Sequence, residues 1–139
     1  MSGILIDTGP IVAILSSADN HHKICVETLK KLSPPLLTTW PVITESQYLL
    51  RKNKKALQGL FHAFSGGLFA LEELPSESLP WLENFLTKYD DINSQIADAS
   101  LMYVAEQKNI DTIFTLDRRD FFIYRFSNKE APKIIPTML

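Results

Sequence analysis

Asp7 closes a short apolar segment, Gly3-Ile4-Leu5-Ile6-Asp7, and Thr8-Gly9-Pro10 follows as the start of a helix. The arrangement recurs far down the chain, where Thr112-Ile113-Phe114-Thr115-Leu116 runs into Asp117. Between them, Glu45 and Asp98 fall inside helical patterns, on or beside apolar faces. A carboxylate in such a place is costly unless something positive meets it. Four carboxylates within ~5 Å of one another repel by roughly 3 kcal/mol per pair at an effective dielectric of ~20. Either some carry protons or a cation sits among them. An oxygen-only ligand set suits a hard ion, Mg²⁺ or Mn²⁺. Such an ion activates water and stabilises charge developing on a phosphate oxygen, which is the chemistry of phosphodiester hydrolysis. Taken singly, each acid has a plainer reading, because an Asp after a strand commonly caps a helix or forms a turn. The joint pattern favours the metal.

The elements that must position these acids alternate between strand and helix. Gly3–Asp7, Leu36–Thr39, Leu68–Leu74 and Asp111–Leu116 read as strands, and Lys133-Ile134-Ile135 as a short last one. Helices are expected over Gly9–Ser17, Lys23–Leu32, Pro41–Asn53, Lys55–Phe64, Ser78–Tyr89 and Ser94–Lys108. Pro34-Pro35 stops the second helix, Pro41 sits at a tolerated first position, Gly66-Gly67 closes the fourth and Ser94 is an expected N-cap. The order implies an α/β fold, a central mostly parallel sheet with helices on both faces. Ligands of such sheets bind at the carboxyl ends of the strands, where the strand order reverses. Asp7 and Asp117 stand at such ends. Asp98 lies in the first turns of its helix, where the macrodipole favours negative charge, and Ala97 and Ala99 leave room around it. Glu45 shares a face with Val42 and Leu49 and is expected to point inward. Asp117–Glu130 is the segment with the weakest pattern.

At 139 residues the chain has the length of one domain, residues 1–139. Its 45% hydrophobic and 22% charged content is that of a soluble globular protein. One cysteine, Cys25, excludes an internal disulfide and fits a cytoplasmic location. The N-terminus lacks signal-peptide features, and the longest apolar run, Pro10 to Leu15, is too short to span a bilayer. A net charge of −2 does not advertise a polyanionic partner, so local basic patches and a bound metal must attract one.

The sequence resembles the PIN-domain family, and within it the VapC-type toxin ribonucleases. The motifs are Ile4-Leu5-Ile6-Asp7-Thr8-Gly9-Pro10, Thr44-Glu45, Ile96-Ala97-Asp98-Ala99-Ser100-Leu101 and Thr115-Leu116-Asp117-Arg118-Arg119-Asp120-Phe121, with Tyr89-Asp90-Asp91 before the third. Together, in this order, they cover essentially the whole chain. The resemblance implies a three-layer α/β/α sandwich and a metal-dependent endoribonuclease using Mg²⁺ or Mn²⁺. It further implies the toxin component of a type II toxin–antitoxin pair, with an RNA substrate, a cognate antitoxin and a homodimer. The family's acidic quartet falls on Asp7, Glu45, Asp98 and Asp117, with Asp120 a rival for the fourth place. Asp117 is preferred because it follows the strand directly. The family's hydroxyl beside the site falls on Thr8 or Thr115. Asn93, Ser94 and Gln95 depart from the usual pattern before the third motif.

Arg118 and Arg119 are the expected phosphate contacts, since Arg matches phosphate geometry. The run Arg51-Lys52-Asn53-Lys54-Lys55 is a solvated helix end or a second phosphate patch. His21 and His22 lack a second ligand set for zinc and read as capping or surface groups. His62 and Cys25 read as structural. Trp40, Phe61, Phe64, Trp81 and Phe85 suit core or interface better than base stacking. Three other functions fit the sequence less well. A phospho-acceptor receiver would need a Lys after a late strand, a silent binding domain would have lost an acid, and the phosphatase class with paired aspartates is disfavoured by Thr8-Gly9 after Asp7.

Overall fold

The computed structural model describes residues 3–139. Five strands form one sheet in the order β3-β2-β1-β4-β5, and every neighbouring pair is parallel. β1 is Ile4–Ile6, β2 Leu36–Thr38, β3 Phe69–Leu71, β4 Thr112–Phe114 and β5 Lys133–Ile135. The first four are shorter than the runs that announced them, and the last strand spans Lys133–Ile135, as expected. The helices are α1 Thr8–Leu15, α2 His22–Lys30, α3 Trp40–Leu50, α4 Lys54–Ser65, α5 Leu79–Lys88, α6 Ile96–Lys108 and α7 Arg118–Phe121. They cover the sheet in a three-layer α/β/α sandwich. Strands buried on both faces read as unbroken apolar runs, and Leu5, Ile6, Ile113 and Phe114 are accordingly fully buried.

The strand order reverses between β1 and β4, which is where a crevice opens in such a sheet. Register there is close: Ile4, Leu5 and Ile6 face Thr112, Ile113 and Phe114, and the Asp7 amide donates to the Phe114 carbonyl at 2.9 Å. Gly9 lets α1 start against the chain leaving β4, since a Cβ there would lie 3.3 Å from the Leu116 Cβ. α1 packs on α2, α3 and α4, and α6 packs on α3 and α5. Eight residues of α6 are buried, among them Ala97, Ala99 and Ser100, whose small side chains let neighbouring elements approach closely.

Local signals set most element ends. Asn53 caps α4 by accepting from the Ala56 amide at 3.1 Å, and Gly67 takes the left-handed conformation after it, φ 82°. Asn109 ends α6 the same way at φ 55°. The expected cap of α6 is displaced. Gln95 occupies that position without a side-chain bond, and the Ser94 hydroxyl is buried with no partner among the described residues. A 3-10 turn over Asp90–Ile92 and left-handed Asn93 precede it. The chain is therefore still turning at Ser94, whose amide reaches back to the Tyr89 carbonyl.

Candidate active site

Asp7 is both a helix cap and a member of the site. Its Oδ1 accepts from the Thr8 amide at 2.8 Å, capping α1, and its Oδ2 accepts from the Thr115 hydroxyl at 2.8 Å. The Thr115 oxygen in turn accepts from the Asp117 amide at 3.0 Å. One hydroxyl thus ties the ends of β1 and β4 together. Asp117 caps α7, accepting from the Asp120 amide at 3.2 Å. Asp98 approaches from the first turn of α6.

Carboxylate oxygens of Asp98, Asp117 and Asp120 lie within 4.8 Å of one another. Sequence reasoning set Asp117 and Asp120 against each other, and the structure brings both in. The preference for Asp117 rested on its following the strand directly, yet β4 ends at Phe114, leaving Thr115 and Leu116 between. The short helix α7 then turns Asp117 and Asp120 to the same side.

Asp7 and Asp98 are only 7% and 8% exposed, and their chemistry follows from that. Burial pushes the Asp7 carboxyl up to about 6. The Thr8 amide and Thr115 hydroxyl oppose the rise, and the charges of Glu45 and Asp117 add to it. Burial pushes Asp98 up to about 7, with Asp7 adding, the Tyr124 hydroxyl opposing, and Asp117 and Asp120 adding further. Asp120 is also raised, by desolvation and by Asp117, with Arg119 opposing. Among the described residues no Lys or Arg offsets the charge of the two buried acids. The buried pair Asp7 and Asp98 is therefore a set of oxygen donors without a cation of its own, Arg119 acting only on the outer acid Asp120, which fits a hard divalent cation.

Glu45 differs from expectation. It is exposed, because the buried side of α3 runs through Val42, Ile43, Ser46 and Leu50. Leu49, thought to share its inward face, is exposed as well. Glu45 still reaches the rim of the site, where its Oε1 accepts from the Thr8 hydroxyl at 2.7 Å. The Arg118 guanidinium donates to the Pro136 carbonyl beyond β5, while Arg119 is exposed.

The pattern-based reading missed Tyr124. The residue is fully buried and its hydroxyl donates to Asp98 Oδ2 at 2.7 Å. Desolvation and the acids around it push the phenol far above its ordinary range, so it remains a donor. Its one signal was an aromatic in the segment after Asp117, where no periodicity placed it. The remaining side chains have structural roles. The His22 ring meets the Ala13 carbonyl at 2.6 Å, Cys25 is buried, and Arg51 lies 3.8 Å over the Tyr48 ring. Phe85 is in the core, whereas Trp40 and Phe61 are exposed.

The sequence profile of the PIN domain matches residues 4–127. The chain belongs to the PIN-domain family. It is similar to the ribonuclease VapC26 of Mycobacterium tuberculosis (strain ATCC 25618 / H37Rv), with 28% identity over 124 residues, covering 88% of this chain and 92% of that protein. Its fold is that of the crystal structure of Mycobacterium tuberculosis VapC20, described as a sarcin–ricin loop cleaving toxin. The TM-score is 0.76 at 18% identity, over 84% of this chain and 92% of that one. In this PIN domain the acids sit where the strand order reverses, the place that the architecture reserves for a ligand.

Proposed function

We propose that residues 1–139 act as a single nuclease domain, a divalent-metal-dependent endoribonuclease that is the toxin of a type II toxin–antitoxin pair. The reading rests above all on the cluster of Asp98, Asp117 and Asp120 beside buried Asp7, inside a PIN domain. A ribonuclease as relative and a toxin as structural neighbour support it. Asp7, Asp98 and Asp117 would hold the ion together with Asp120, with Glu45 at the rim. When bound, Mg²⁺ or Mn²⁺ lowers the pKa of a coordinated water and offsets charge on the phosphate. Thr115 holds Asp7 and the Asp117 turn in place, and Thr8 orients Glu45. Arg119 serves as the phosphate contact next to the acids. Arg118 supports it by anchoring the segment to Pro136.

The protein acts as a homodimer bound by a cognate antitoxin. Support for the dimer is an apolar surface on α3, α5 and the start of α6, where Trp40, Tyr48, Leu79 and Ile96 are all exposed. Monomers rarely leave such large side chains grouped in water. The test is cleavage of a single-stranded RNA in Mg²⁺, in Mn²⁺ and in excess chelator, with Asp98→Asn as the matched control. Cleavage that survives chelation, or an Asp98→Asn protein that cuts at the wild-type rate, would overturn the metal mechanism. An RNA left intact under all conditions, with single-stranded DNA cut instead, would overturn the substrate.

A further inference from the structure

Asp98 and the pair Asp117/Asp120 come from different elements, α6 and α7, yet their oxygens lie within 4.8 Å. Three acids do not hold such an arrangement unaided once they ionise. At an effective dielectric of ~20, each pair at this separation repels by roughly 3 kcal/mol. The Asp98 side chain could relieve this by rotating toward solvent at the crevice. The structure contains one bond that prevents it, from the Tyr124 hydroxyl to Asp98 Oδ2 at 2.7 Å.

Tyr124 is well placed to act as a fixed point. Its ring is packed by Phe85 and Tyr89 at 4.9 Å and by Phe121 at 5.0 Å between centroids. Its amide donates to the Asp120 carbonyl at 3.1 Å, beside the Ile123 amide at 2.9 Å. The backbone turn that carries Tyr124 is thus the one that carries Asp120. The Tyr89 hydroxyl accepts from the Arg125 amide at 3.0 Å and holds the next residue to the end of α5. The phenol therefore bridges the two halves of the acidic cluster. It occupies one Asp98 oxygen and leaves the other for a ligand.

We propose that Tyr124 is a positioning residue, whose hydroxyl fixes the Asp98 carboxylate against the Asp117–Asp120 turn and so sets the affinity of the site for its divalent cation. This rests on the metal-dependent reading above. It goes further in assigning a role to a side chain outside the acidic motifs. Partners that orient metal-binding side chains commonly change metal affinity about 10- to 100-fold when removed.

The test is Mn²⁺ binding by isothermal titration calorimetry, with the unliganded stability of each protein measured in parallel by urea. Tyr124→Phe keeps the ring and removes the bond, and is expected to weaken Mn²⁺ binding about tenfold or more. Tyr103→Phe is the control. Its ring meets Trp81, its hydroxyl bonds neither Asp98 nor the turn that carries Tyr124, and the variant is expected to bind Mn²⁺ as wild type does. Equal affinity for wild type and Tyr124→Phe overturns the positioning role while leaving the metal reading intact. A wild-type protein that takes up no Mn²⁺ overturns both. Loss of affinity in both variants reduces Tyr124 to general packing and also overturns it. In the wild-type protein, independently of any variant, the Tyr124 hydroxyl proton is expected as a slowly exchanging NMR signal that shifts on addition of Mg²⁺. A signal that does not respond refutes the proposal even if Tyr124→Phe fails to fold.

Discussion

Asp98→Asn should make the metal-free protein more stable at pH 8 while removing its response to metal. Asp98 is buried, and its carboxyl titrates near 7 instead of 3.8. Between about pH 4 and pH 7 the folded protein therefore keeps a proton that the unfolded chain has already released. The slope of stability with pH is negative wherever the folded state binds more protons. Stability is full below the unfolded value and is lost as pH rises through the folded one. At about 1.4 kcal/mol per pH unit, the interval from 3.8 to about 7 amounts to about 4 kcal/mol for Asp98. The substituted amide is uncharged throughout, keeps an oxygen to accept from Tyr124, and can donate to Asp117 or Asp120. Part of the 4 kcal/mol is shared with Asp7, which repels Asp98, so the expected net gain at pH 8 is about 2–3 kcal/mol. At pH 5, about 1.2 pH units above the unfolded value, just over a third of the loss has accrued, so the two proteins should differ by only about 1 kcal/mol. Urea unfolding in chelator, followed by tryptophan fluorescence at both pH values, measures the difference directly. Added Mg²⁺ should raise wild-type stability according to mass action and leave Asp98→Asn nearly unmoved. A wild-type protein that gains stability between pH 5 and pH 8, or a variant weaker than wild type at pH 8 in chelator, would refute the electrostatic account of the site.

Other expectations follow from the same geometry. Asp7→Asn keeps the cap on the Thr8 amide and should abolish RNA cleavage in a single-turnover assay with no loss of far-UV circular dichroism; normal cleavage would remove Asp7 from the site. Thr115→Val removes the oxygen shared by Asp7 and the Asp117 amide and should cost about 1–3 kcal/mol in urea unfolding, along with most of the cleavage rate. Arg119→Ala should weaken RNA binding with little change in the rate at saturation, whereas Arg118→Ala should lower the melting temperature, since its guanidinium holds Pro136; reversed effects would exchange the two roles. Light scattering should give the mass of a dimer at micromolar concentration, and Trp40→Glu should give a monomer by placing a charge in the exposed apolar surface.

Much of the architecture was legible because it is set locally. Ile4–Ile6 and Thr112–Phe114 are short apolar runs that only a buried strand accommodates, and Asn53 and Gly67 mark the ends of α4 by side-chain and backbone chemistry that acts over a few residues. Asp7 was readable for the same reason, since an acid after a buried strand and before a helix has one available position, at the carboxyl edge of the sheet. Asp98 followed from its place in the first turn of α6. The failures were of another kind. Spacing gives a residue's angle around a helix but not which arc the neighbouring elements cover, and so Glu45 came out exposed. A cap was expected at Ser94, but the turn at Asn93 delays the helix until Ile96.

The sequence by itself determined the alternation of strands and helices, the acids at the strand ends and the excess of negative charge that asks for a cation. These depend on periodicity, turn chemistry and charge, all of which are written in adjacent residues. Only the tertiary structure decided which carboxylates converge and what holds them there. Asp117 and Asp120 share the site because a short helix turns both to one side. Asp7 meets Thr115 across 108 positions of chain, and Asp98 meets Tyr124 across 26. Contacts of that range arise when separate elements pack, and no local pattern encodes the distance between their side chains.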